Sequence, residues 1–195
     1  MAREALVDTT DAELMIRLAS GEDLALNELM TRWSDQLITF LFRMTGQRDA
    51  ATDLAQDTFV KLYQARDRYR PQGNFSTYLF TIAANLARNH SRWKMRHPTV
   101  SIHATDSDGS AILYESAHPH DTPGESAVNQ EKSRAIHSAI LALPLDLREA
   151  LTLFVHEQMG YTEIAILAHC SPKAVETRIY HARQILKEQL KDLRS

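Results

Sequence analysis

The sequence predicts an all-α protein of two small helical domains joined by a flexible acidic linker. Three observations carry this. Apolar residues recur at spacings of three and four in blocks of helical length. No block alternates apolar and polar residues as a strand would. One central stretch, Pro98 to about Ala127, loses the pattern: it is rich in Ser, Asp, His, Thr and Pro and has few large apolar residues, among them Ile102, Ile112, Leu113 and Tyr114. The expected division is 1–97, a linker over 98–128, and 129–195.

In the first half, Thr10-Asp-Ala-Glu13 has the capping-box pattern and opens a helix through Leu14 and Leu18 that Gly21 ends. A second helix spans Asp23 to Met44 on Leu26, Leu29, Met30, Trp33, Leu37, Phe40 and Leu41, with Gly46 as its stop. A third runs from about Asp49 to Ala65. Its core face is Ala55, Phe59 and Leu62, and Asp53, Gln56, Asp57, Val60 and Gln64 lie off that face. Pro71 and Gly73 mark residues 68–74 as a loop. The fourth helix, Phe75 to Arg96, contains no Gly, no Pro and no acidic residue. Phe75, Leu79, Ile82 and Leu86 fall on one stripe, expected to face the core. Tyr78, Asn85, Asn89, Arg92 and Arg96 fall on a second stripe, about a quarter turn away. A ring, two amides and two guanidiniums can stack on bases, bond base edges and pair with phosphates; the plain alternative is a core helix with a solvated polar face.

In the second half, Glu131 to Leu143 reads as an amphipathic helix on Ile136, Ile140 and Leu143. Pro144 starts the next, which carries Leu147, Ala150, Leu151 and Phe154 and ends by Gly160. Thr162 is the expected N-cap of a short helix, Glu163 to Ala168. His169-Cys170 makes a tight turn. Ser171 then caps a longer helix, with Pro172 at its first position, where the missing N–H costs nothing, running to about Asp192. A short helix, a short turn and a longer helix form a helix-turn-helix, with small Ala165 where the two approach. Lys173, Glu176, Thr177, Tyr180, His181 and Arg183 point outward from its second helix, as a major-groove reader requires. A generic helical hairpin is the alternative.

Bulk numbers exclude more than they assign. Net charge is −3 over 195 residues, so the mean charge announces no nucleic-acid binder. Its distribution does: Leu86 to Thr99 holds four basic residues and no acidic one, whereas Pro98 to Val128 holds five acidic residues and no Lys or Arg. The one cysteine, Cys170, excludes an internal disulfide framework and fits a reducing compartment. No apolar run approaches the ~18 residues of a membrane span, and Met1–Leu14 lacks a signal-peptide core; a soluble cytoplasmic protein is expected. No phosphate-cradling Gly loop, nucleophile elbow or paired metal motif is present, so neither an enzyme nor a cofactor is expected. His118, His120 and His169 are a weak metal signal without nearby Cys or a shared framework.

Both halves, in this order, resemble the extracytoplasmic-function sigma factors, the small two-domain branch of the sigma-70 family of bacterial transcription initiation factors. DLAQDTFVKLYQA (53–65) resembles the family's region 2.2, FSTYLFTIAANLARNHSRWKMR (75–96) its regions 2.3 and 2.4, and residues 143–186 its region 4. The resemblance implies roles. Asp53, Gln56, Asp57, Val60 and Tyr63 would meet the clamp helices of the polymerase's β′ subunit, with the β subunit as a further partner. The loop Arg70 to Thr77 and the following helix would receive the minus-ten promoter element. Tyr78 and Asn85 would lie near a flipped base, and Asn89, Arg92, Lys94 and Arg96 would guide the strand. Lys173, Glu176, Thr177, Tyr180, His181 and Arg183 would read the minus-thirty-five element. The acidic linker would thread toward the RNA exit path, and an anti-sigma factor, often membrane-anchored, would hold the protein inactive.

Two departures bear on specificity. Many relatives have a Gly-Thr pair and a basic residue in the recognition helix, where this chain has Lys173-Ala174 and Glu176. A carboxylate facing DNA needs a base donor such as cytosine N4 or an internal partner, for which Arg178 and Arg183 are candidates. Tyr78 stands where Trp is common. The competing reading, a free-standing helix-turn-helix regulator binding duplex DNA, accounts for 143–192 and leaves Asp53–Arg96 without a role.

Overall fold

The computed structural model describes residues 10–71, 73–97 and 123–191, the backbone alone for 123–130. Among these, eight α-helices and no strand occur: α1 (Asp11–Ala19), α2 (Leu24–Thr45), α3 (Arg48–Gln64), α4 (Phe75–Arg96), α5 (Pro123–Ala142), α6 (Leu145–Val155), α7 (Tyr161–Leu167) and α8 (Pro172–Gln189), with a 3₁₀ turn at Arg66–Arg68. The linker acids Asp106, Asp108, Glu115 and Asp121, together with His118 and His120, lie outside the described residues.

Local chemistry sets most ends. Thr10 Oγ1 accepts from the Glu13 N–H (3.3 Å), and a Glu13 carboxylate oxygen accepts from the Thr10 N–H (2.7 Å), which also holds the Glu13 carboxyl below its ordinary range. Such a box satisfies two N–H groups that the first turn leaves unpaired. Gly46 ends α2 with φ +72, a left-handed conformation that costs an L-residue roughly 1 kcal/mol. Ser171 Oγ accepts from the Ala174 N–H (3.1 Å) ahead of Pro172.

Three boundaries depart from the sequence reading. α5 begins at Pro123 rather than Glu131, so the last part of the expected linker is helical; proline is well suited to a first helical position. α6 stops at Val155, and residues 156–160 turn through Gln158 at φ +53. The cap of α7 is Gly160, not Thr162: the Glu163 carboxylate accepts from the Gly160 N–H at 2.9 Å.

The N-terminal core is built by Leu14, Leu18, Leu29, Leu37, Phe40, Leu41, Leu62, Leu79 and Phe80, all almost fully buried. Phe80 meets Phe40 edge-on (5.1 Å between centroids) and Trp33 likewise (6.2 Å). Trp33 Nε1 donates to Asp11 at 3.1 Å, pinning α1 to α2. On α4 the buried stripe is Phe75, Leu79, Phe80, Ala83, Ala84 and Ala87. Ile82 and Leu86, expected in the core, are only partly buried, because the alanines let α4 approach its neighbours closely and rotate the larger side chains outward. The second core sets Leu143, Ala150 and Leu153 against Ile164, Leu167, Val175, Ile179 and Ala182. The two halves touch: α7 packs on α4, and α5 and α6 pack on α2.

Candidate nucleic-acid interface

The turn from Ala65 to Asn74 brings α4 back along α3 and leaves a cleft of about 390 Å³ between them. Tyr78, Ile82, Asn85, Leu86 and Asn89 line it from α4, and Lys61, Gln64, Ala65 and Arg68 from the opposite wall. An apolar floor with a ring, amides and two cations on its walls is suited to a flat polar group such as a nucleobase. Tyr78 is braced by Tyr69 (5.2 Å between rings), and burial pushes both phenols above their ordinary pKa, so both remain neutral donors. Asn85 Oδ1 accepts from Arg88 Nη2 at 2.6 Å, which orients the amide and leaves its NH₂ donors and the second Oδ1 lone pair for another partner.

The cleft gathers three of the six sequence-predicted minus-ten residues: Tyr78, Asn85 and Asn89. Arg92, Lys94 and Arg96 stand further along α4, exposed, on turns beyond Ala87, the last buried residue of that helix. Their setting includes Trp93, stacked on His97 at 4.9 Å. Arg92 Nε and Arg96 Nε donate to the carbonyls of Arg88 and Arg92 (3.4 and 3.3 Å), which lays both side chains along the helix. Lys61 and Arg68 were missed; only their positive charge on the chain segment facing α4 could have pointed to them.

On α3, Asp53, Gln56, Asp57 and Val60 are exposed, with Thr58, Phe59 and Leu62 buried behind them. Val60 is 52% exposed, an apolar centre in a polar rim. Tyr63 is partly buried; its hydroxyl donates to Asp23 Oδ1 (3.2 Å) and Arg66 lies over its ring (4.1 Å). Gln64, four residues after Val60, turns only about 40° from it, so this face borders the cleft.

All six outward positions of α8 are exposed: Lys173, Glu176, Thr177, Tyr180, His181 and Arg183. The internal partner of Glu176 is neither arginine proposed from sequence. It is Lys173, one turn away at 2.8 Å. Arg178 instead pairs with Asp146 (3.5 Å), and Arg183 lies over the Phe154 ring (5.3 Å). No group of three or more His, Cys, Asp or Glu able to hold a metal occurs among the described residues, and no helix among them is long and apolar enough to cross a membrane.

The two helical units each present a candidate face, an open cleft of about 390 Å³ on one and an exposed helix-turn-helix on the other, the arrangement expected of a two-site nucleic-acid-binding protein. Comparisons with known proteins say which kind. Residues 29–97 match the model of Sigma-70 region 2, and residues 133–186 that of Sigma-70, region 4. The chain is 30% identical over 192 residues to the RNA polymerase sigma-H factor of Pseudomonas aeruginosa, covering 96% of this chain and 97% of that one. It is 30% identical over 187 residues to the ECF RNA polymerase sigma-E factor of Haemophilus influenzae, covering 94% and 97%. Among solved structures it resembles CnrH in complex with the cytosolic domain of CnrY (TM-score 0.66, 25% identity, 93% and 97% covered). It also resembles the sigma factor RpoE in complex with the anti-sigma factor NepR from Bartonella quintana (TM-score 0.63, 27% identity, 85% and 96% covered). The chain belongs to the extracytoplasmic-function sigma factors of the sigma-70 family.

Proposed function

We propose that this sigma factor opens promoters by trapping a minus-ten base in the cleft between α3 and α4. The observation that carries this is the convergence of Tyr78, Asn85 and Asn89 with Lys61 and Arg68 around one cavity. In this reading Tyr78 stacks on the flipped base and the Asn85 amide bonds its edge. Asn89, Arg92, Lys94 and Arg96 follow the strand and its phosphates. Unstacking a base costs a few kcal/mol, and stacking contributes about 1–3 kcal/mol per base, so one filled pocket offsets one unstacked step. The work is binding energy turned into strand opening; no residue is assigned a catalytic role.

The face made by Asp53, Gln56, Asp57, Val60 and Tyr63 docks the clamp helices of core RNA polymerase. Because that face borders the cleft, docking sets the cleft at the edge of the polymerase channel. Lys173, Glu176, Thr177, Tyr180, His181 and Arg183 read the minus-thirty-five duplex in the major groove. Residues 1–97 form the polymerase-binding and minus-ten unit, 98–128 the connection, already helical from Pro123, and 129–195 the minus-thirty-five unit. Two of the similar solved structures are complexes, one with the CnrY cytosolic domain and one with an anti-sigma factor, which supports an anti-sigma partner for this chain. The site of action is the cytoplasm, where polymerase and promoters are.

Asn85→Ala tests the reading. Permanganate footprinting of the holoenzyme should show open complexes reduced by 10-fold or more with closed-complex affinity little changed. Equal open-complex yields from both proteins would remove Asn85 from the base pocket.

A further inference from the structure

The apolar floor of the cleft has a continuation outside it. Ile82 and Leu86, the partly buried residues of that floor, lie about 40° apart around α4. Trp93 follows Leu86 by seven residues, which returns it to within about 20° of the same line and about 10 Å further along the axis. Counted from Asn89, the last residue of α4 to line the cleft, it is about 6 Å on and about 40° around. The indole thus extends the floor past the end of the cavity, and there it is 50% exposed.

Two features set this ring apart from a stray surface residue. The first is that it is held. The His97 imidazole stacks on it, with 4.9 Å between centroids and 24° between planes. The His97 N–H donates to the Trp93 carbonyl at 2.9 Å, and His97 Nδ1 lies 3.0 Å from the same oxygen, a second bond in the tautomer that carries its proton there. The ring pair is ordered before any partner arrives, which lowers the cost of binding one. The second is its surroundings. Arg92, Lys94 and Arg96 flank it, all exposed, and no acidic residue occurs from Leu86 to Thr99. An exposed flat ring among cations matches a partner with flat apolar faces on an anionic chain. A duplex offers the phosphates with its base faces closed; an unpaired strand offers both.

We propose that Trp93, ordered by His97, is a second stacking platform of this sigma factor, taking an unpaired base beyond the one held in the cleft. The proposal rests on the assignment of α4 to the opened strand. Asn85 and Trp93 are eight residues apart, a rise of about 12 Å. A stacked strand advances about 3.4 Å per nucleotide, so a strand following the helix spans the two sites with about four nucleotides or fewer. Cleft and platform then hold the two ends of one short opened segment. Once the first base is trapped, the second stack is gained at the high effective concentration that the short connection sets. Re-pairing has to break both.

The test compares full-length wild type, Trp93→Ala, Trp93→Phe, Met95→Ala and Asn85→Ala, each assembled with core polymerase. Trp93, Met95 and Asn85 are all exposed, so the folded core is left intact. Binding to a fluorescein-labelled single-stranded DNA pool, randomised at its centre, is followed by anisotropy at several salt concentrations, with core polymerase alone as background. Trp93→Ala should bind about 10-fold more weakly, the loss expected for one stacked base. Its salt slope should be unchanged, because a stack releases no counterion. Trp93→Phe keeps a flat ring and should recover most of the affinity. Met95→Ala should bind as wild type does: Met95 is 70% exposed on the same end of α4, but turned about 160° away from Trp93. Wild-type affinity in Trp93→Ala overturns the platform, as does a Trp93→Phe protein no better than Trp93→Ala. A reduced salt slope in Trp93→Ala would make the indole a prop for its neighbouring cations, and lost co-elution with core would make it a polymerase contact; either overturns the stack. Asn85→Ala separates this proposal from the assignment beneath it. If neither Asn85→Ala nor Trp93→Ala weakens binding, α4 does not hold the strand. Loss in Asn85→Ala alone removes only the platform, and loss in Trp93→Ala alone keeps the platform and empties the cleft.

Discussion

Glu149 holds the most informative charge in the molecule, and Glu149→Gln turns it into a measurement. The carboxyl is buried, takes one bond from Arg88, and its Oε2 has no hydrogen-bond partner among the described residues. Burial pushes its pKa from 4.5 up to about 7; Arg88 and Arg178 pull the other way and lose. Because the native state holds this proton more tightly than the unfolded chain, the group's contribution is complete below pH about 4.5 and declines as pH rises to about 7. A difference of about 2.5 pKa units at 1.36 kcal/mol each is roughly 3 kcal/mol, most of it between pH 5 and 8. Glutamine has the same shape and does not titrate. The stability of Glu149→Gln minus that of the wild type should therefore grow by about 3 kcal/mol from pH 5 to pH 8, read from urea unfolding at each pH. Taking the difference matters, because His156, its pKa lowered to about 4 by desolvation and the Arg43 charge, pulls the wild-type curve the opposite way between pH 4 and 6.5, by an amount that solvent screening of this exposed residue reduces. A difference that stays constant would mean that Glu149 titrates as an ordinary wet carboxylate and the contact between the halves is open in solution. A difference that shrinks as pH rises would mean that the Arg88 pair outweighs desolvation.

Three further outcomes are expected. Gln56→Ala with Asp57→Ala should weaken core polymerase binding by 10-fold or more in a competition assay against a second sigma factor, since both side chains are exposed on the docking face; unchanged affinity would make that face plain solvent surface. Gly46→Ala should lower unfolding free energy by about 1–2 kcal/mol, from the left-handed φ and the pressure of the new methyl on Leu141, as read by urea midpoint. Glu176→Lys should change the minus-thirty-five preference in a promoter selection and steepen the salt dependence of duplex binding by about one counterion; an unchanged preference would place Glu176 away from the bases.

How far the sequence could be read follows the range of the interactions involved. The capping box at Thr10, the stop at Gly46 and the Ser171-Pro172 start are written within four residues, and the structure has each of them. So is the helix-turn-helix, whose Val175, Ile179 and Ala182 are buried as the spacing requires. The core stripe of α4 was legible only in part. Periodicity scores Ile82 and Leu86 above Ala83, Ala84 and Ala87, whereas close helix packing prefers the alanines and leaves the large side chains to floor the cleft. Glu163 was visible as the first residue of a short helix but not as both the cap of Gly160 and the acceptor for Asn74, because the second role spans 89 residues of chain. The burial of Glu149 and its pairing with Arg88 leave no local trace, since each residue alone looks like a surface charge. The partner of Glu176 is local and still not evident from sequence, because Lys173, three residues away, fits a phosphate contact as well as an internal pair.

Helix α4 outruns its own support. Past Ala87 no residue of it is buried, yet it continues unbroken to Arg96. Eleven residues separate Asn85 from Arg96, a rise of about 16 Å at 1.5 Å per residue. That overhang works as a ruler. Removing one residue between Asn89 and Arg92 would shorten it by only about 1.5 Å but swing Arg92, Lys94 and Arg96 through about 100°. The distance from trapped base to strand-holding cations is thus tolerant of small changes in length, and their bearing around the DNA is not.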